Sequence, residues 1–208
     1  MRPPSLSTAA RASGLSAEAI ARGAGVPTEA VELAWSAEVV DLHLESFLPP
    51  RLWGYDLSRR HSHRTPFGGW LFGHVDIPRA LEGGLTGAMW SIATNIAQPA
   101  AWRFGVLEKN VERLAATLRG SPHVEVVRAH EEWRRARAAG KHAALVCVQG
   151  GNAFDGARDL SNPGALVTRV TVVHLSNSRL GETSSPARLG RDAGIRTPGK
   201  DFIAWLDS

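Results

Sequence analysis

The residues best placed to do chemistry early in this chain are His43 and Glu45, in the run Val40-Asp41-Leu42-His43-Leu44-Glu45. Strand side chains alternate faces, so a strand here points the imidazole and the carboxylate two residues on in the same direction. Such a pair on a rigid element suits a divalent metal, zinc above all, but two donors do not complete a tetrahedral site. Other reactive groups lead less far. Gly150-Gly151 is not followed by the Gly-Lys-Ser/Thr of a phosphate loop. Ser176, Ser184 and Ser185 lie in polar stretches without a nucleophile elbow, which disfavours a serine hydrolase. Cys147, the one cysteine, excludes an intramolecular disulfide and reads as a small buried hydrophobe inside an apolar run.

The elements that must position these residues alternate along the body of the chain. Apolar strands are read at Val39 to Leu44, Leu85 to Ala93, Ala143 to Val148 and Val167 to His174. Helices are read at Ile77 to Glu82, Phe104 to Leu118, His130 to Ala139 and Thr197 to Leu206. Phe104, Leu107, Val111, Leu114, Ala115 and Leu118 fall at helical spacing and should be the inward face of theirs. Near-continuous apolar strands separated by helices imply an α/β protein whose sheet is parallel and covered on both faces. Val124 to Val127 reads as an extra strand outside that order. Ahead of the body, residues 1 to about 15 look like a mobile tail. Two short helices follow, one capped by Ser16 and one opened by Pro27, with Leu15, Ile20, Val31 and Leu33 as their apolar contacts.

The stretch Glu45 to Gly73 is long for a connection, and such loops are either functional or irregular insertions. Its Trp53, Tyr55, Phe67, Trp70 and Phe72 beside Arg59, Arg60, His61 and His63 suggest an ordered flap over the end of the first strand.

With 208 residues, 43% of them hydrophobic, the chain can bury one sizeable core. The formal net charge of +4 is scattered, and the one basic cluster, Arg128 to Arg137, is interleaved with acids. It reads as a solvated helix face, and no nucleic-acid module accompanies it. No apolar stretch approaches the ~18–20 residues of a membrane span, and residues 1 to 25 lack a signal-peptide core. The expected compartment is cytoplasmic. His61, His63, His74, His123, His130 and His142 carry no supporting motif and are expected at the surface or at caps.

Three further segments follow the His-x-Glu run in order: His74-Val-Asp-Ile-Pro-Arg through Ile92, Ala143 to Ala153 containing Val-Gln-Gly-Gly-Asn, and Val167 to Ser178 containing Thr-Val-Val-His-Leu-Ser-Asn. Together they resemble the membrane (renal) dipeptidase family of zinc peptidases in the amidohydrolase superfamily, from about Val39 to the last residue. The resemblance implies a (β/α)8 TIM-barrel fold, present here as about four βα units at residues 37–208, behind a tail and helical appendage at 1–36. It also implies that the chain stops roughly halfway through the family's domain.

What the resemblance implies for function is metal-dependent hydrolysis of small peptides by metal-activated water, with zinc as cofactor. His43 matches a zinc-binding histidine and Glu45 stands where aspartate is usual. Gln149 stands where a glutamate bridges two zincs, and Asn152 where a histidine is often found. Glutamine lacks the charge with which one carboxylate holds two cations, so Gln149 is expected beside a metal rather than on it. His174 matches a histidine that contacts the substrate and stabilises the tetrahedral intermediate. No residue is assigned as catalytic. With His43 and Glu45 alone, zinc binding is expected to be weak and the activity of this chain doubtful. A half barrel would leave sheet edges open and favour self-association. Two alternatives stay open: a non-catalytic remnant or binding protein of the same fold, and another amidohydrolase-type hydrolase.

Overall fold

The structure, a computed structural model, describes residues 14–45, 50, 53–62, 73–94, 97–158, 166–183 and 194–206. In chain order the elements are helices α1 (Ala17–Ala24) and α2 (Thr28–Ser36), strand β1 (Val39–Leu44), α3 (Ile77–Glu82), β2 (Leu85–Ala93) and α4 (Ala100–Arg119). Then come β3 (Val124–Val126), α5 (His130–Ala138), β4 (His142–Gln149), a 3-10 turn (Gly151–Phe154), β5 (Val167–Thr171), β6 (Gly181–Glu182), β7 (Gly194–Ile195) and α6 (Thr197–Leu206). The sheet order is β1-β2-β4-β3, and β5 also pairs with β4. The β1–β2, β3–β4 and β4–β5 ladders are parallel. The four expected strands are thus neighbours in the expected sequence. The extra strand β3 shares β4 with β5: it takes His142 to Ala144, and β5 takes Val146 to Gln149. Strand β5 stops at Thr171, short of the expected His174. Among the described residues no helix is long and apolar enough to cross a membrane.

The chain divides into two compact units, Met1–Trp90 with Ala115–Leu145 and Ser91–Leu114 with Val146–Ser208. In the first, Ser16 Oγ accepts the Ala19 N–H at 3.2 Å to cap α1, and Gly25 closes it at φ 70°. Ala17 and Ala21 of α1 meet Val31 of α2, with Ile20 and Trp35 packed against them. Leu33, expected among these contacts, is exposed, and Trp35 takes the inward place because its Nε1–H reaches the Glu82 carbonyl at 2.9 Å.

The described part of the Glu45–Gly73 stretch belongs to this first unit and is anchored on Asp76, which is fully buried. Asp76 caps α3 by accepting the Arg79 N–H at 2.9 Å, and it takes the Arg79 Nε–H at 2.7 Å and the His61 N–H at 3.0 Å. Arg79 Nη2 donates to Tyr55 Oη at 2.9 Å and to the Gly73 carbonyl at 2.6 Å, while the Tyr55 and His61 rings stack 3.9 Å apart. Burial, then the Asp76 charge, pushes the Tyr55 hydroxyl above its ordinary pKa. Tyr55 and Leu57 are buried and Trp53 is exposed. Of the expected flap, His63, Phe67, Trp70 and Phe72 lie outside the described residues, as does the tail at 1–13.

In the second unit Phe154 and Phe202 are buried with ring centroids 5.2 Å apart, flanked by half-buried Phe104 at 6.0 Å from Phe154 and exposed Trp205 at 6.1 Å from Phe202. Arg103 pairs with Asp155 at 2.6 Å, and the other Asp155 oxygen accepts the Arg179 N–H at 2.8 Å. Cys147 is buried as expected, and burial raises its thiol pKa, which makes it a poor nucleophile at neutral pH.

Candidate functional site

Strand β4 is apolar and buried along Ala143, Ala144, Val146, Cys147 and Val148, and its last residue, Gln149, is the first polar side chain after that run. Gly150 then turns the chain at φ 102°, a conformation that excludes side chains. The Gly150 N–H donates to the Thr171 carbonyl and the Gly151 N–H to the Val172 carbonyl, each at 3.0 Å. These two bonds carry the β4–β5 ladder past the end of β5. They hold Gln149 beside His174, three residues beyond β5.

The two side chains meet directly, Gln149 Nε2 to His174 Nε2 at 2.8 Å. An amide nitrogen only donates, so the ring nitrogen accepts, and the imidazole proton sits on Nδ1. Gln149 is 7% exposed, and its Oε1 is sealed from solvent without a hydrogen-bond partner among the described residues. Turning the amide by half a revolution lets His174 donate to the oxygen but places the NH2 group in the sealed position. Either orientation leaves one polar atom of Gln149 unmatched, which costs about 1–3 kcal/mol in a protein interior.

The surrounding loop fixes His174 from its backbone. Thr183 Oγ1 donates to the His174 carbonyl, and the Thr183 N–H donates to Asn177 Oδ1 at 2.9 Å. Asn152 is buried in the 3-10 turn, and its Oδ1 accepts from Thr94 Oγ1 at 3.3 Å. Thr94 and Thr183 were not legible as site residues, since a threonine carries no signal until a partner stands across from it. Ser184 and Ser185 lie outside the described residues.

His43 lies one residue before the end of β1 with its side chain exposed, and Glu45, just past the strand, is exposed too. The His43 N–H donates to Asp41 Oδ1 at 2.8 Å, a local contact of the backbone and not of the imidazole. Among the described residues no three His, Cys, Asp or Glu side chains come together as a metal seat. The end of β4 and β5 does not fit zinc. Gln149 and Asn152 bring no charge; the Asn152 oxygen already accepts from Thr94, and Gln149 bonds His174 through its amide nitrogen while its oxygen is buried. The structure thus brings Gln149 and His174 together.

A family model, membrane dipeptidase (peptidase family M19), matches residues 28–206. No curated relative matches the sequence. Similar solved structures include an amidohydrolase from Pseudomonas aeruginosa, 19% identical with a TM-score of 0.53, over 85% of this chain and 45% of that one. Dipeptidase AC, a metallopeptidase of family M19, is 19% identical with a TM-score of 0.58, over 80% of this chain and 52% of that one. A metallopeptidase from Rhodobacter sphaeroides, solved with a phosphinate mimic of the dipeptide L-Ala-D-Ala, is 17% identical with a TM-score of 0.57, over 80% and 55%. The chain spans about half the length of these structures. Their likeness establishes the fold as α/β with a parallel sheet, a (β/α)-barrel type present in part.

Proposed function

The chain belongs to the membrane dipeptidase family, peptidase family M19, and on that premise we propose that it is a dipeptidase-like hydrolase of small peptides. The observation that supports this reading is the half-buried His174 three residues beyond β5, gripped through its backbone carbonyl by Thr183 and through its ring by Gln149. A ring so fixed can offer an N–H to a peptide carbonyl and stabilise negative charge developing on that oxygen. Because Gln149 and Asn152 do not suit zinc, the part left to these residues is to bind and orient the peptide. The Rhodobacter sphaeroides structure was solved with a mimic of L-Ala-D-Ala, so dipeptides with small side chains are the first substrates to try. Release of free amino acids from such dipeptides should fall about tenfold in His174→Ala, the loss of one hydrogen bond to a developing charge. Equal turnover by the variant would remove His174 from the reaction.

A second reading, peptide binding without hydrolysis in the same fold, is favoured by the neutral side chains at positions 149 and 152. Calorimetric binding of a dipeptide that stays intact over the experiment selects this reading. Turnover selects the first.

We also propose that the chain self-associates. Strand β1 ends the sheet order and exposes Val39, Val40 and Leu42, the last 60% accessible. Apolar side chains on an end strand favour association with another chain. Light scattering should give a mass that rises with concentration above 22.3 kDa. A constant monomer mass across the dilution series removes this proposal.

A further inference from the structure

We infer that the Gln149–His174 pair closes the end of β4 and β5 to divalent cations, making Gln149 a positioning residue for the His174 ring rather than a metal ligand. The first ground is charge. A dication leaving water needs anionic or free imidazole donors, and among the described residues the side chains joined by hydrogen bonds at the ends of β4 and β5 are Gln149 with His174 and Asn152 with Thr94, without a carboxylate among them. The second is occupancy of the donors. The amide N–H of Gln149 holds the lone pair of His174 Nε2, the electron pair a metal would take. Asn152 Oδ1, the other oxygen donor, accepts from Thr94. The third is burial. The Gln149 oxygen has no hydrogen-bond partner among the described residues and is sealed from solvent, so an ion in water does not reach it.

Backbone geometry keeps the pair closed. A Cβ at Gly150 would stand 2.6 Å from Asn152 Oδ1 and 3.4 Å from His174 Cβ, which measures how tightly the turn draws the three residues together. Rotating Gln149 away from His174 would break its one side-chain hydrogen bond and leave both of its polar atoms buried and unmatched. The inference rests on the family membership that leads one to expect metal here, and not on the hydrolase reading.

The test is zinc titration of the metal-stripped full chain against a chromophoric chelator, without peptide, so it can fail independently of any activity. Wild type, Gln149→Ala and His174→Ala should bind zinc with the same affinity within about twofold, since any zinc taken up sits elsewhere. Gln149→Glu, a carboxylate beside an imidazole, should bind at least about tenfold tighter. A tenfold weakening in Gln149→Ala or His174→Ala would identify them as ligands and overturn the inference. So would a folded Gln149→Glu with unchanged affinity, because the neutral amide would then not be what excludes the ion. If circular dichroism shows that Gln149→Glu does not fold, the two alanine variants still decide.

Discussion

Gly151→Ala should lower the free energy of unfolding by about 3 kcal/mol, the upper part of the range for forcing extra atoms into a packed site. The added Cβ would lie 2.2 Å from the Val172 carbonyl oxygen, 3.0 Å from Leu180 Cδ1 and 3.3 Å from Ser178 Oγ. The first contact is with backbone, so no rotamer relieves it. Gly151 donates its N–H to that same carbonyl at 3.0 Å, so the strain breaks one of the two bonds that hold the ends of β4 and β5 in register. The expected consequence reaches the site: His174 should separate from Gln149, and its ring resonances should broaden in NMR spectra. Gly105→Ala is the control. Gly105 lies inside α4 with open space around its missing Cβ, so alanine there should stabilise by about 0.5–1 kcal/mol. Urea unfolding of both variants checks the pair, and equal stability of Gly151→Ala and wild type would show that the turn yields more easily than its geometry implies.

The register that makes Gly151 critical follows from features the sequence displays locally. Apolar runs at 39–44 and 85–93 and the segments 77–82 and 197–206 match their elements residue for residue, and the two helical segments carry their own punctuation. Asp76 and Pro78 open α3 and Gly83-Gly84 close it, while Pro198 sits in the first turn of α6. Where the inward face starts later than the helix itself, the apolar pattern places the bound too late. Helix α4 begins at Ala100, directly after Pro99, four residues before its inward face starts at Phe104. The first residues of α4 are mostly exposed, and exposed positions carry no apolar periodicity. Leu107, Val111, Leu114, Ala115 and Leu118 are buried as their spacing indicates.

The site was legible in part, and for a definable reason. A family motif marks His174 and Gln149 individually, but nothing in either segment states that the amide lies 2.8 Å from the imidazole. That contact depends on the β4–β5 register, which is set by hydrogen bonds between segments distant in sequence. The network around Asp76 is another such case. Tyr55, His61 and Arg79 look like scattered polar and aromatic residues until the chain folds them onto one buried carboxylate, with the Gly73 carbonyl held by Arg79. A buried charge forces its neighbours to be specific, yet the forcing operates only in three dimensions.

His142 is the clearest departure from expectation and carries the second large effect. In place of a surface histidine, the structure has an imidazole 1% exposed at the start of β4. Its surroundings fix one tautomer. The Leu85 carbonyl only accepts, so Nδ1 carries the proton and donates it at 2.9 Å. The Trp90 indole N–H only donates, so Nε2 is bare and accepts at 3.0 Å. A second proton on Nε2 would face the indole N–H directly. Burial is the main reason that its pKa falls from 6.5 to about 4; the Leu85 bond opposes the fall and the Arg137 charge adds to it. The folded imidazole therefore stays neutral where the unfolded one takes up a proton. Above pH 6.5 both states are neutral and no stability is lost to this group. Below it the unfolded state gains protons first, and stability drops until the folded group titrates near pH 4. At about 1.4 kcal/mol per pH unit of separation, the loss is roughly 3 kcal/mol, a large share of the ~5–15 kcal/mol that holds a typical domain together. Urea unfolding at pH 7.5, 6, 5 and 4 should show this decline in wild type. A His142→Asn variant, less stable at pH 7.5 but without a titrating ring, should show a decline smaller by about that amount. Parallel pH profiles for the two proteins would mean that His142 reaches solvent or finds an acceptor when protonated, and that carboxylates elsewhere cause the acid sensitivity.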